Sequence, residues 1–132
     1  MKLESPKIVI DKSPEETYKF LSDVNNFRKL MPDSIERFEV LGPDSFIFSL
    51  KGMPEITLKK KEEQPPNKLV LGAAGGKIDF SLQASIEEVN PTTSQVELKF
   101  EGDFNPMMAM MIKTPIKNFI NTLATNIPLA IQ

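Results

Sequence analysis

The sequence predicts an α+β domain in which a curved antiparallel sheet covers one face of a long C-terminal helix. Two periodicities support this prediction. Apolar side chains recur every three or four residues from Asn105 to Ile127, which is typical of an amphipathic helix. From Ile35 to Glu101 they mostly alternate with polar ones, as in strands that bury one face. The length of 132 residues suits one domain, so residues 1–132 are expected to fold as a single unit.

Composition removes several classes of function. The chain has 16 basic and 18 acidic residues, so no strong positive field favours a nucleic-acid partner. It contains no cysteine and no histidine, which excludes disulfides, thiol nucleophiles and every catalytic triad that uses imidazole. We therefore expect no metal site and no cofactor.

Hydropathy indicates a cytoplasmic protein. The first residues carry charges on both sides of their few apolar positions, so they do not resemble an export signal. A membrane-spanning helix needs about 20 apolar residues, and Lys113 and Lys117 interrupt the methionine-rich segment well before that length. We predict no integral membrane span and leave peripheral membrane contact open.

The chain begins with a predicted strand at Leu3–Ile10, which includes three consecutive β-branched residues. Ser13 and Glu16 have the spacing of a capping box, and Pro14 suits the first helical position, so a helix should start here. A second short helix is expected from about Asn25 to Met31, because a proline follows directly.

Six more strands follow, separated by turns rich in glycine, proline and asparagine. They are predicted at residues 35–40, 46–50, 56–63, 69–73, 78–87 and 96–101. Alternation places the following residues on the inner face: Phe38, Phe46, Phe48, Leu58, Leu71, Phe80, Leu82, Leu98 and Phe100. The charged run Lys59–Glu63 is expected to be a solvated strand end. The carboxylates Asp79, Glu87, Glu97 and Glu101 should face outward, where they cannot act on a ligand inside.

The C-terminal helix should begin with Asn105 as its cap and Pro106 at its first position. Its buried stripe is predicted to consist of Met108, Met111, Ile112, Ile116, Phe119, Ile120, Leu123 and Ile127. Pro115 lies inside this pattern and removes a helical hydrogen bond, so a kink or break is expected there. Two interpretations are open: the kink shapes the pocket or frees the methionine segment to act as a gate, or Thr114 caps a separate second helix with Pro115 at its first position.

Particular residues, as well as this order of elements, resemble a known superfamily. The segments Ile10–Glu16, Phe20–Asp23, Asn26–Phe27 and Leu30–Pro32 are similar to the first strand, capped helix and closing proline of helix-grip proteins. This START-like or SRPBCC superfamily includes lipid-transfer domains, polyketide cyclases, the birch-pollen-allergen group and a group associated with carbon monoxide dehydrogenase. The resemblance implies a seven-stranded sheet wrapped around the C-terminal helix, with two short helices between strands 1 and 2. It also implies an apolar cavity for a hydrophobic small molecule.

The candidate ligand-binding residues are the apolar side chains expected to face this space. They are Phe38, Phe46, Phe48, Leu58, Leu71, Phe80, Leu82, Phe100, Met108, Met111, Pro115 and Phe119. The same residues could instead fill a solid core. Met107 and Met110 are candidates for a cavity mouth or a homodimer contact.

Three functions remain open from the sequence. The favoured one is binding or transport of a lipid, polyketide or similar hydrophobic molecule, without catalysis. The second is a cyclase-like or dehydratase-like enzyme that uses the same cavity, although we predict no catalytic residue and interpret Tyr18 as a packing residue. The third is a protein-interaction module with a filled core.

Overall fold

A computed structural model describes residues 1–51, 53, 55–74 and 79–131. These residues form eight strands, two α-helices and one 3₁₀ helix, which confirms the predicted α+β class. The strands are β1 (Lys2–Glu4), β2 (Ile8–Ile10), β3 (Ile35–Gly42), β4 (Ser45–Leu50), β5 (Ile56–Gln64), β6 (Lys68–Ala73), β7 (Phe80–Asn90) and β8 (Thr93–Gly102). The helices are α1 (Pro14–Ser22), the 3₁₀ helix (Val24–Leu30) and α2 (Pro106–Ala130).

One antiparallel sheet contains all eight strands, in the order β1-β8-β7-β6-β5-β4-β3, with β2 also paired to β8. The predicted first strand is therefore two short strands on the same neighbour. Pro6 lies between them and has no N–H to offer the sheet. Ser5 maintains the pairing, because its backbone N–H donates to the carbonyl of Leu98 and its hydroxyl oxygen accepts from the Leu98 N–H, both at 2.8 Å.

The capped helix begins as predicted. The Glu16 N–H donates to Ser13 Oγ at 3.1 Å, and the Ser13 hydroxyl donates to the Glu16 carboxylate at 3.2 Å. The second short helix also forms, as a 3₁₀ helix that begins one residue earlier than expected. It ends at Leu30, because Met31 adopts an extended conformation ahead of Pro32.

The predicted inner face of the sheet is largely correct. Phe46, Phe48, Leu58, Leu71, Leu82, Leu98 and Phe100 are all buried, whereas Phe38 and Phe80 are partly buried against the same core. Predictions that involve Gly52, Pro54, Gly75, Gly76 and Ile78 lie outside the described residues.

The solvated strand end predicted at Lys59–Glu63 is confirmed for four exposed residues and wrong for Lys60, whose side chain is only 14% exposed. The pairing of β5 with β6 shifts by one residue between Lys60 and Glu62, so that beyond this point Glu62 and Glu63 lie opposite Val70 and Leu69. Lys60 pairs with Leu71, and Glu63 pairs with Leu69, so both charged residues oppose buried leucines. Such a bulge re-aims side chains and cannot be seen in the alternation of the sequence.

Helix α2 is continuous from Pro106 to Ala130, with Pro115 inside it. A separate helix starting after Thr114 is therefore wrong, whereas the predicted cap is present, with the Met108 N–H donating to Asn105 Oδ1 at 2.8 Å. All of its buried residues lie in the second half, from Ile116 onward: Ile116, Phe119, Ile120, Leu123, Ala124 and Ile127. The second half thus anchors α2 to the sheet and to the 3₁₀ helix, where Asn126 Nδ2 donates to the Leu30 carbonyl at 2.9 Å.

Candidate functional site

The space between the sheet and α2 contains a small void that we call the aromatic void. Strands β4, β5, β7 and β8 form its walls on one side, and one turn of α2 closes the other. Its lining is Phe48, Ile56, Leu58, Phe80, Leu82, Phe100, Ile116 and Phe119. The rings of Phe48 and Phe119 stack with centroids 4.9 Å apart, so the sheet and the helix are in direct contact beside the void.

A second space, the aliphatic void, lies nearer to α1 and the 3₁₀ helix. Its lining is Leu21, Phe27, Leu30, Leu69, Leu71, Leu82, Ala84, Leu98 and Ile127. Leu82 lines both voids, so its side chain is part of the partition between them. Every described side chain around either void is apolar, and this part of the lining offers no acid, base or hydrogen-bonding side chain.

Both voids are far smaller than a ligand site. Each has a volume of about 10 Å³. A single water needs roughly that much space together with polar partners, and drug-sized ligands occupy pockets of roughly 300 Å³ or more. The part of the interior that the described residues enclose is therefore closely packed around these two voids, one of which is ringed by phenylalanine.

Six of the twelve predicted site residues meet at the aromatic void: Phe48, Leu58, Phe80, Leu82, Phe100 and Phe119. Leu71 lines the aliphatic void. Phe38 and Phe46 stack on each other, with centroids 5.2 Å apart, and line neither void.

The methionine end of α2 differs from the prediction. Met111 was expected on the buried stripe, but its side chain is 72% exposed. Met108 and Pro115 are only partly buried, and none of the residues from Pro106 to Pro115 is fully buried. Periodicity identifies a helix face but not the point at which the opposing sheet ends, and here the first half of α2 extends past the packed part of the core.

Several lining residues were absent from the sequence-based site. Ile116 is predicted only as part of the buried stripe of the helix, and Ile56 only as a strand residue. Leu21, Phe27 and Leu30 come from the two short helices, whose apolar positions gave the only signal that could have placed them inside. The pairing of β5 with β4 brings Ile56 opposite Phe48.

A polar cluster that the sequence did not reveal lies where α1 crosses the end of β5. The Tyr18 hydroxyl donates to Glu63 Oε2 at 3.1 Å. Lys60 lies 3.5 Å from Glu63 and 3.7 Å from Asp44, with only 14% of its side chain exposed. Burial, followed by the hydrogen bond to the Glu63 carboxylate and by its charge, raises the pKa of Tyr18 to about 12. Tyr18 is therefore a neutral hydrogen-bond donor that fastens β5 to α1.

Two open grooves on the surface are larger than the internal voids. One, of about 710 Å³, runs between α1, the 3₁₀ helix and the β3–β4 turn, and most of the residues that line it are polar or charged. The other, of about 390 Å³, lies beside the start of α2. Among the described residues, no cluster of carboxylates has the arrangement of a metal site, and no helix is long and apolar enough to cross a bilayer.

Known structures resemble this chain along nearly its whole length. Norcoclaurine synthase from Thalictrum flavum superimposes with a TM-score of 0.76 at 10% identity, covering 98% of this chain and 84% of its own. A START superfamily protein from Mycobacterium smegmatis gives 0.69 at 12% identity, covering 98% and 96%. The chain therefore has the helix-grip fold.

A further helix-grip neighbour is the di-domain ARO/CYC BexL from the BE-7585A biosynthetic pathway, with a TM-score of 0.66 and 16% identity. The match covers 98% of this chain and 47% of BexL, so the chain spans about half of that protein. No protein-family model matches the sequence, and no curated protein matches it either. At these identities the comparisons establish the helix-grip fold, and the function has to be argued from the site.

Proposed function

We propose that the protein binds a small hydrophobic molecule between the sheet and α2, in a pocket centred on the aromatic void. The observation that carries this proposal is the lining of that void, where four phenylalanine rings and four aliphatic side chains face one space. Burial of apolar ligand surface contributes about 25 cal/mol per Å², and flat rings also stack favourably on phenylalanine. The proposal retains the cytoplasmic location predicted from the sequence.

The pocket has to open before a ligand can enter, because the void holds only about 10 Å³. Helix α2 covers the pocket, and its first half has the least packing, since none of the residues from Pro106 to Pro115 is fully buried. Pro115 also has no N–H to donate to the carbonyl of Met111, so one hydrogen bond fewer joins the two halves of the helix. Opening by outward movement of this half would leave the anchored half in place.

Helix-grip neighbours support the same class of ligand. Norcoclaurine synthase has been solved in complex with dopamine and hydroxybenzaldehyde, two small aromatic molecules. A cyclase-like or dehydratase-like activity, the alternative from the enzyme class, requires a polar group close to the substrate. The lining side chains that the structure describes supply none, so we place binding ahead of catalysis.

The interaction module with a filled core is the second candidate, and the small volume of both voids favours it. Native mass spectrometry and solvent extraction of the purified protein, combined with titration of the neutral dye N-phenyl-1-naphthylamine, distinguish the two. A co-purifying hydrophobic compound, or saturable binding of one dye per chain, supports ligand binding. No extractable compound and no dye binding would contradict it and favour the interaction module.

A pair of leucine variants locates the site. Leu82→Ala should join the two voids and bind the dye more tightly than the wild type, because Leu82 lines both. Leu50→Ala is the matched control, since Leu50 is also buried, at 5% exposure, but lines neither void. Both substitutions should cost about 2–5 kcal/mol of stability. Equal dye affinity in the two variants would show that the dye binds elsewhere.

A further inference from the structure

The start of α2 presents an unusually exposed set of apolar side chains. Met107, Met110 and Met111 are 75%, 82% and 72% exposed. All three lie in the first two turns of the helix, whereas most exposed positions farther along carry lysine, threonine or asparagine and Leu129 alone of the described ones is a large apolar residue. Methionine side chains are flexible, so such a cluster can adapt to a partner that has no fixed shape.

An open groove of about 390 Å³ adjoins these methionines. Its lining is Met1, Lys2, Phe104, Ala109, Met110 and Lys113. The groove therefore combines an apolar surface with two cationic side chains, of which Lys2 is paired with Glu101 at 3.8 Å and Lys113 forms no ion pair with a described residue. That combination suits a partner with hydrocarbon chains below negatively charged groups.

The charged side chains of helix α2 are all positive. From Phe104 to the end of the chain the only charged side chains are Lys113 and Lys117, although the whole protein has a net charge of −2. Neither lysine forms an ion pair with any residue in the part of the chain that the structure describes. We call Met107, Met110, Met111, Lys113 and Lys117 together the Met–Lys surface.

We propose that the Met–Lys surface docks on an anionic lipid bilayer. The methionines would enter the boundary between headgroups and acyl chains, while Lys113 and Lys117 remain at the level of the phosphates. A second copy of the chain is a poorer occupant, because a symmetric contact would bring four lysines together with no carboxylate on either helix. The proposal does not depend on whether the protein holds a ligand.

Vesicle flotation tests this docking. The full-length protein is mixed with vesicles of neutral phosphatidylcholine, or of phosphatidylcholine containing phosphatidylglycerol, at low and high salt. We expect flotation with the anionic vesicles only, and weaker flotation at high salt because screening shortens the reach of the lysines. Lys113→Gln/Lys117→Gln should weaken partitioning on the order of 25-fold, about fivefold for each charge.

Matched controls separate this surface from general stickiness. Met107→Gln/Met110→Gln/Met111→Gln should lower partitioning on the order of 100-fold or more. Leu129→Gln should leave it unchanged, although Leu129 is 74% exposed on the same helix, because it lies at the other end. Lys19→Gln/Lys29→Gln removes the same charge from exposed positions elsewhere and should also have little effect.

Three outcomes would overturn the proposal. The first is no flotation of the wild type with anionic vesicles. The second is loss of flotation to the same extent in the Lys19→Gln/Lys29→Gln control. The third comes from light scattering: a wild-type dimer that becomes a monomer in the triple methionine variant would make a second copy of the chain the occupant of this surface.

Discussion

Thr17 on α1 and Ser94 on β8 share the most deeply buried side-chain hydrogen bond of the described residues. Their hydroxyl oxygens lie 2.8 Å apart, and neither residue has any solvent exposure. Thr17→Val keeps the shape of the side chain but leaves the Ser94 hydroxyl without this partner, so we expect a loss of about 1–3 kcal/mol. Urea unfolding followed by circular dichroism measures it.

The double variant Thr17→Val/Ser94→Ala is the control for this pair. It removes both polar groups, so most of the lost stability should return. A double variant that is as unstable as the sum of the two single variants would show that the hydroxyls contribute independently. The pair would then not explain how α1 is held on the sheet.

Tyr18 predicts a dependence of stability on high pH. Its pKa rises from 10.0 to about 12 on folding, so the folded state retains the phenolic proton longer than the unfolded chain does. The stabilisation is complete below the unfolded pKa of 10.0 and is lost as the pH rises toward 12. The loss should be on the order of 2 kcal/mol.

Tyr18→Phe isolates this effect from lysines that titrate in the same range. Below pH 10 the wild type should have the higher free energy of unfolding. This advantage over the variant should shrink, and then change sign, as the pH rises toward 12. A difference that does not vary with pH would show that Tyr18 ionises equally easily in both states.

Helix α2 combines a firmly held second half with a first half that has little packing. Pro115→Ala restores an N–H that can donate to the carbonyl of Met111, and it removes the steric cost of proline inside a helix, which is roughly 3 kcal/mol. We expect the variant to be more stable and its amides before residue 115 to exchange more slowly. If opening of this half admits the ligand, dye affinity should fall as well.

Pro128→Ala is a useful control, because Pro128 lies in the last turn of the same helix. It should leave both dye affinity and amide exchange in the first half unchanged. Slower exchange in Pro115→Ala with undiminished dye affinity would contradict the proposed route into the pocket, although not the pocket itself.

The elements that local chemistry determines could be predicted from the sequence. Ser13 and Glu16 specify the start of α1, and Asn105 specifies the start of α2, because each cap depends on neighbours three residues away. The break between β1 and β2 was not predicted. Between these strands the Ser5 hydroxyl keeps the chain bonded to Leu98, and alternation of apolar and polar residues does not show such a side-chain contact between residues distant in the sequence.

At the scale of the whole molecule, alternation over six strands and one amphipathic helix predicted an antiparallel sheet covered by the C-terminal helix, and the resemblance of segments such as Ile10–Glu16 added the helix-grip arrangement. The size of the interior was not predictable. The same apolar sequence is compatible with a cavity of about 10 Å³ and with one of roughly 300 Å³, because alternation shows which side chains face inward and not how closely they pack. The exposure of Met111 was unpredictable for a related reason, because it depends on where the sheet ends beneath α2.

The opening proposed for the pocket predicts a change in distance within the molecule. The chain has no cysteine, so spin labels can be placed at single sites without removing native thiols. Labels at Met110→Cys and Lys59→Cys report the distance between the exposed start of α2 and an exposed residue of β5. Saturating N-phenyl-1-naphthylamine should lengthen this distance in pulsed electron paramagnetic resonance, because the first half of α2 must move to make room.

Labels at Thr125→Cys and Lys59→Cys supply the reference, since Thr125 is an exposed residue of the anchored half of α2. This distance should be the same with and without dye, because the burial of Ile120, Leu123 and Ile127 holds that half against the core. Lengthening of both distances would mean that α2 moves as a rigid body and that Pro115 is not a hinge. If bound dye changes neither distance, the ligand is accommodated without movement of α2, and the first half of α2 is not the entrance to the pocket.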